Sequence, residues 1–446
     1  MFNKILIANR GEIALRIVRA CREMDIETVV VHSTVDENGM AVRLADESVC
    51  IGPAPSRQSY LNIPAIFTAA SITNVDAIHP GIGFLSENVE FCKMVKEHGF
   101  GFIGPSAEHM AKMGDKAVAK DTMRALGIPV ITGSAGIVKT PEEGLAVARE
   151  CGWPVLIKAV AGGGGKGMKI SFGEDDFKSA FTMASSEAKA AFGNGDVYIE
   201  KYLSNPRHIE IQLMGDSHGN AIHLGERDCS IQRSHQKVIE EAPSPALTQD
   251  QRDYIGNLAA DCIRKMGYVG AGTMEFLFED EKFYFLEMNT RLQVEHPITE
   301  MITGIDIVRE QIRVAAGEVL SYKQSDVKIK GHAFECRLNA EHPETFFPSP
   351  GLVKRYHAAG GLGVRTDSAL YDGYTVPPTY DSLVGKLIVH ADNREEALKR
   401  MERALDEVVI EGINTNIPLH HRILQEPAFR RGDFNIHWLE RMLNRI

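Results

Sequence analysis

The 446 residues predict a mixed fold, α/β at the start and α+β beyond it: a doubly wound parallel-sheet domain, a small glycine-loop lid and a large C-terminal domain. Three observations carry that expectation. Short apolar runs alternate with helix-period segments through the first hundred residues; five glycines crowd into six positions at 162–167; and a hairpin-like stretch near 273–300 carries polar residues at every second position.

Lys4 to Asn9 is an apolar run ending at Arg10-Gly11, after which Ile13, Ile17, Cys21 and Met24 recur at helical spacing. Further apolar runs at 28–33, 47–52, 75–79 and 99–104 alternate with helical patterns such as Leu61 to Ala70, the signature of a parallel sheet whose ligands bind at the strands' C-terminal ends. One such end is His79-Pro80-Gly81-Ile82-Gly83. Gly81-x-Gly83-x-x-Ser86 nearly makes a dinucleotide fingerprint, but the last glycine is missing, and a turn needing glycine dihedrals explains it equally well. A nicotinamide oxidoreductase is the weak alternative it leaves open.

Residues 1–103 are expected to form the first domain, 104–130 a helical connector, 131–203 the lid domain and 204–446 the catalytic domain. In the lid, Ala161-Gly162-Gly163-Gly164-Gly165-Lys166-Gly167-Met168 follows the strand-like run Pro154 to Lys158. Each ordered glycine costs roughly 0.5–1 kcal/mol relative to alanine, so four in a row ask for a reason. Close approach of backbone N–H groups to phosphate, in a mobile flap flanked by Lys158 and Lys166, is the reason favoured over a plain linker. Val197 to Leu203 closes this unit as a strand.

His208 to Met214 alternates, placing His208, Glu210 and Gln212 on one face, and Ala221 to Arg227 and the segment with Gln232, His235 and Lys237 follow; together they suggest a nucleotide-binding wall. Thr273 to Phe278 and the strand after Glu281 pair as a hairpin. Glu287, Asn289, Arg291, Gln293 and Glu295 then share one face if the chain stays extended, and Glu275 joins them if the connecting loop is odd in length. Two opposed carboxylates raise each other's proton affinity unless a cation separates them, and an oxygen-only set with an amide selects magnesium or manganese. Arg291 offers a planar fork to a bicarbonate-like anion and Glu295 a base within reach. Chemistry of this kind implies ATP and an acyl-phosphate-forming ligase. The bland alternative is a solvated polar face on an edge hairpin.

A net charge of −11 without a dense basic run argues against nucleic acid. No apolar window approaches a membrane span, the N-terminus reads as a strand, and seven scattered cysteines never at C-x-x-C spacing suggest reduced thiols in a cytoplasmic enzyme.

IANRGEIA at the start, HPGIGFLSEN at 79–88, AGGGGKGM at 161–168, ERDCSIQRSHQK at 226–237, EMNTRLQVEHPITE at 287–300 and ECRLNAE at 335–341 resemble, in order, the biotin carboxylases of the ATP-grasp enzymes. Within that family the likeness is to the stand-alone subunit of bacterial acetyl-CoA carboxylase. The resemblance implies an ATP-grasp fold and an enzyme that phosphorylates bicarbonate to carboxyphosphate and carboxylates biotin, the first half-reaction toward malonyl-CoA and fatty acids. The same half-reaction in a two-subunit pyruvate or other acyl-CoA carboxylase is the alternative. It further implies that Lys116, Lys158, His235, Lys237 and glycines Gly163, Gly164 and Gly165 meet the nucleotide phosphates. Glu200, Lys201 and Leu203 would meet adenine, and His208 and Gln232 the ribose. Glu275 and Glu287, with Asn289 nearby, would hold two metal ions. Arg291, Gln293 and the Val294 backbone would hold bicarbonate, Glu295 would be the base, Arg337 would steady the biotin enolate, and Ile82 and Gly83 would border biotin.

Three departures from the family pattern stand out. Ile82 replaces a tyrosine beside the expected biotin site, Ala161 and Lys166 replace a glycine and an arginine in the flap, and Ser234 replaces an arginine. No Ala-Met-Lys-Met biotinylation motif occurs, so biotin is expected on a separate carrier protein, with carboxyltransferase on other chains. A homodimer is expected from the resemblance.

Overall fold

The computed structural model describes residues 1–160 and 168–444. The glycine flap, with Gly163, Gly164, Gly165, Ala161 and Lys166, lies outside the described residues. The chain divides into two compact units, one of Met1–Ile128, Arg207–Leu277 and Leu286–Ile446, the other of Pro129–Pro206 and Phe278–Phe285.

In the first unit, β1 (Lys4–Ile7), β2 (Glu27–Ser33), β3 (Glu47–Gly52), β4 (Ala77–His79) and β5 (Gly101–Phe102) form a parallel sheet in the order β3-β2-β1-β4-β5. Alternation decides which side chains go where. Ile5 and Ile7 pack with Ile13, Leu15 and Ile17 of the helix Gly11–Arg22, while Leu6, Val29 and Val31 pack with Ile66, Phe67 and Phe91 on the opposite face. The sheet is therefore doubly wound, as the alternating runs predict.

The second unit holds β6 (Val155–Ala159), β7 (Met168–Ser171) and β8 (Val197–Lys201), antiparallel in the order β7-β6-β8. Val155, Ile157 and Ile199 meet Ala148 of the helix Pro141–Cys151 and Phe177 and Phe181 of the helix Glu174–Phe192.

A larger sheet contains β9 (Arg207–Gly215), β10 (Ala221–Arg233), β11 (Gln236–Ala242), β12 (Gly270–Glu279), β13 (Lys282–Asn289) and β14 (His332–Asn339), then strands Leu383–Ala391 and Val364–Ser368. Their order is β13-β12-β9-β10-β11-β14, followed by the last two. From β11 to Leu383–Ala391, Ile239, Cys336, Leu338, Leu387 and Val389 face a core closed by the helix Arg394–Glu407. Their alternates Glu240, Glu335, Arg337 and Lys386 share the other face, Glu240 opposite Glu335 and Arg337 opposite Lys386. Hydrophobic burial on one side thus aligns a charged row on the other.

Two expectations about the hairpin fail. Its loop is the two residues Asp280 and Glu281, both at positive φ (51° and 59°), an even-numbered turn suited to the strands' twist. Counting from that turn puts Glu275 and Glu287 on opposite faces. The burial alternation nevertheless slips by one at Leu286–Glu287, where two consecutive half-buried residues border the same cavity, so Glu287 and Asn289 return to Glu275's side. The strand also stops at Asn289: Arg291 and Gln293 sit on an irregular loop, and Glu295 is the N-cap of the helix His296–Thr303. A tertiary path, not a strict period of two, gathers these residues.

All seven cysteines are free. Among the described residues no helix is long and apolar enough to cross a membrane.

Candidate active site

A cavity of about 980 Å³ in the first unit is bordered by Ile82, Gly83, Lys116, His208, Gln232, His235, Lys237, Glu275, Glu287, Asn289, Arg291, Gln293, Val294, Glu295 and Arg337. Each was singled out in the sequence. Lys158, Glu200, Lys201 and Leu203 belong to the second unit. There the Lys158 ammonium lies 2.6 Å from Glu200, the Lys201 ammonium donates to the Gly152 and Trp153 carbonyls at 3.1 and 2.7 Å, and Leu203 is buried.

At the centre, Lys237 Nζ donates to Glu210 at 2.6 Å, Glu275 at 3.2 Å and Glu295 at 2.5 Å. Burial works against its charge, but Glu210 and Glu295 outweigh it, and its proton affinity stands well above the ordinary lysine value. Glu295 receives a second donor, Arg337 Nη2, at 2.9 Å. Burial would favour its neutral form; Lys237, Arg337 and Arg227 reverse that and hold the carboxyl well below the usual range. Arg337 is itself held by Glu240 at 2.6 Å. Burial pushes the Glu240 carboxyl up to about 7, against the pull of Arg337.

Glu275 sits against His208 Nε2 at 3.0 Å, and its Oε1 accepts from the Asn289 and Gln293 amides, each at 2.8 Å. Despite burial, Lys237 and His208 hold it below the carboxylate range. Glu287 moves the other way, pushed up by burial and then by the Glu275 charge. A carboxylate pair so unevenly compensated, with oxygen donors only, suits a hard dication, which would relieve Glu287 directly. Asn289 fits less freely: its Oδ1 already accepts from Arg291 at 2.8 Å while its amide holds Glu275, so in this arrangement it aligns both neighbours. His208, Glu210 and Glu275 also bring one ligand atom each within 4.8 Å of one another, but Glu210 is already engaged by Lys237 and Arg227.

Arg227, Glu87 and Glu240 hold the site without having been singled out in the sequence, and Glu210, placed beside His208 by alternation, works with them. Arg227, wholly buried, donates to Glu210 at 2.5 Å, Gln212 at 2.7 Å, Thr299 at 2.9 Å and Gln293 at 2.6 Å. It fixes the Gln293 amide by taking its oxygen, leaving the nitrogen for Glu275. Glu87 accepts from the Arg291 Nε at 2.8 Å and the Thr290 amide at 2.9 Å. Glu210 and Glu240 anchor Lys237 and Arg337. Period two was a signal for Glu210, which lies between His208 and Gln212; Glu240 lies an odd step from Lys237, and only the sheet register sets it directly across from Glu335.

The loop at 79–83 resolves as a turn. Gly81 and Gly83 both have φ near +65°, and a Cβ on Gly81 would lie 2.8 Å from the Asn9 amide, which donates to the Pro80 and Ile82 carbonyls at 2.8 Å. Ser234 and His235, at positive φ of 48° and 64°, form the two-residue turn between β10 and β11 that brings His235 to the cavity.

Family models describe three successive parts of the chain: biotin carboxylase N-terminal domain over residues 1–110, carbamoyl-phosphate synthase L chain ATP-binding domain over 115–323, and biotin carboxylase C-terminal domain over 335–441. The biotin carboxylase of Haemophilus influenzae is 57% identical over 444 residues, 99% of each chain. The chain belongs to the biotin carboxylase family. Among solved biotin carboxylases, the biotin carboxylase domain dimer of Hydrogenobacter thermophilus 2-oxoglutarate carboxylase, in complex with MgADP, ADP and bicarbonate, matches with a TM-score of 0.87 at 48% identity, covering 99% of this chain and 98% of that one. The biotin carboxylase subunit of a pyruvate carboxylase matches with a TM-score of 0.92 at 50% identity, covering 100% and 99%. A biotin carboxylase by family, the chain is an ATP-grasp ligase with a parallel-sheet N-terminal domain.

Proposed function

We propose that this enzyme carboxylates biotin on a separate carrier protein, using ATP and bicarbonate through carboxyphosphate, as the first half-reaction of acetyl-CoA carboxylase. The observation that supports it most is the Glu295 carboxylate, held ionised between Lys237 and Arg337 one loop away from Arg291. A base must be ionised before it can act. The two cations that keep it so also weaken it, and an anion arriving beside Lys237 and Arg337 raises its proton affinity again.

On this reading Arg291, Gln293 and the Val294 backbone hold bicarbonate, and Glu295 takes its proton. Arg337, steadied by Glu240, faces the ureido oxygen of biotin as negative charge develops there. Lys116, Lys158, His235, Lys237, Gly163, Gly164 and Gly165 are the residues proposed for the phosphates, Glu200, Lys201 and Leu203 for adenine, and His208 and Gln232 for the ribose. Glu275, aligned by Asn289, and Glu287 would hold magnesium or manganese, which when bound neutralises phosphate charge. Ile82 and Gly83 border biotin. The solved dimer of the 2-oxoglutarate enzyme supports a homodimer, and carboxyltransferase subunits are the expected acceptors' partners.

The similarity to a pyruvate carboxylase subunit keeps a second reading, the same half-reaction serving a keto acid or another acyl-CoA. ATP cleavage measured with and without bicarbonate and free biotin tests the chemistry; phosphate release indifferent to both would sink it. Supplying the carrier and transferase with acetyl-CoA or pyruvate then separates the two acceptors.

A further inference from the structure

Behind the loop that borders the cavity lie two buried donors that do not border it. His296 is wholly buried, with Nδ1 2.7 Å from the Gln293 carbonyl oxygen and Nε2 without a hydrogen-bond partner among the described residues. Lys386, also wholly buried and opposite Arg337 in the sheet, donates to the Val294 carbonyl at 2.9 Å and lies 3.0 Å from Glu12. A carbonyl oxygen only accepts, so the proton of the neutral His296 ring sits on Nδ1. Burial, with Lys386, Arg16 and Arg365 nearby, keeps that ring neutral.

A trans peptide points its C=O and N–H in opposite directions. With the Gln293 carbonyl drawn to His296 and the Val294 carbonyl to Lys386, the N–H groups of Val294 and Glu295 turn toward the side where both residues border the cavity. Among the described residues neither N–H meets an acceptor. Two successive N–H groups aimed the same way make a small anion-binding concavity.

We propose that His296 and Lys386 are positioning residues, which hold two successive peptides so that the Val294 and Glu295 amides together present a paired donor to the bicarbonate carboxylate. The inference rests on the bicarbonate site proposed above and adds the second amide and the two groups that aim both. Neither His296 nor Lys386 touches substrate.

The test measures bicarbonate and ATP dependence of phosphate release in H296F, K386M and the conservative H296N, whose amide N–H can reach where Nδ1 stood. H296F and K386M are expected to raise the bicarbonate KM roughly tenfold or more, the worth of a hydrogen bond to a charged group, with the ATP KM within about twofold. H296N should recover most of that loss. An unchanged bicarbonate KM in folded H296F and K386M, or an equal rise in both KM values, overturns the proposal. Imidazole 15N NMR of the unmodified enzyme decides the case if a variant does not fold: a protonated Nδ1 and bare Nε2 on His296 support it, and the opposite tautomer refutes it. If the unmodified enzyme ignores bicarbonate, the functional reading has failed, while the tautomer still judges the peptide geometry separately.

Discussion

Replacing Arg227 by methionine keeps much of the side-chain volume and removes one buried guanidinium. The structure sets the cost. Glu210 Oε1 loses a charged donor at 2.5 Å, and Lys237 remains 2.6 Å from the other oxygen, with His208 Nε2 farther off at 3.8 Å. The oxygens of Gln212 and Gln293, both on buried side chains, lose donors at 2.7 and 2.6 Å. Breaking a buried ion pair from one side costs about 3–5 kcal/mol, and the orphaned amide oxygens place R227M toward the upper end. Gln293 should also turn, because Arg227 is what orients its amide toward Glu275. Denaturant unfolding of the first unit near neutral pH is the assay, with E210Q as the second arm of a double-mutant cycle. The pair R227M/E210Q should be less destabilised than the sum of the single variants, since the uncompensated carboxylate is gone. R227M within about 1 kcal/mol of the parent, or strict additivity, would refute the view that this guanidinium organises the site.

E295Q should lower bicarbonate-dependent turnover by roughly 10²–10⁴, the range for losing a general base, and a near-normal rate removes Glu295 from that role. Ile82 borders the cavity with its carbonyl fixed by Asn9, so I82Y should add an aromatic face there without moving the loop; a tighter biotin KM with an unchanged ATP KM is expected, and an unchanged biotin KM refutes this account of the site. Glu240 titrates at about 7 in the folded enzyme against 4.5 for a free carboxyl, so the stability it contributes is full below pH 4.5 and is lost as the pH rises through 7. E240Q cannot ionise; its stability relative to the parent should therefore improve by about 3 kcal/mol between pH 4.5 and 8, and a pH-independent difference contradicts the assignment.

Local pattern carried far in this chain. Alternating apolar runs placed β1 to β5 and the helices between them because each strand and helix buries a face that its own periodicity reveals. His208, Glu210 and Gln212 stay on one face for the same reason. Residue chemistry also named the acids, the Arg291 fork and the phosphate-seeking lysines without any coordinates.

What the sequence could not decide was everything that depends on distance between separate segments. The parity argument failed at Glu275 and Glu287 because one slip in a strand's alternation reverses its faces, and no local propensity announces such a slip. Arg227, Glu87, Glu240 and Lys386 read as ordinary charged residues. Their importance comes from partners many residues away: the buried Arg227, Glu240 and Lys386 meet Gln293, Arg337 and Val294, while the exposed Glu87 holds Arg291. Residue types determined which chemistry was available; only the folded chain, by burying Arg227, Glu240 and Lys386 away from water, decided which charges must pair, and it holds Glu295 ionised between Lys237 and Arg337.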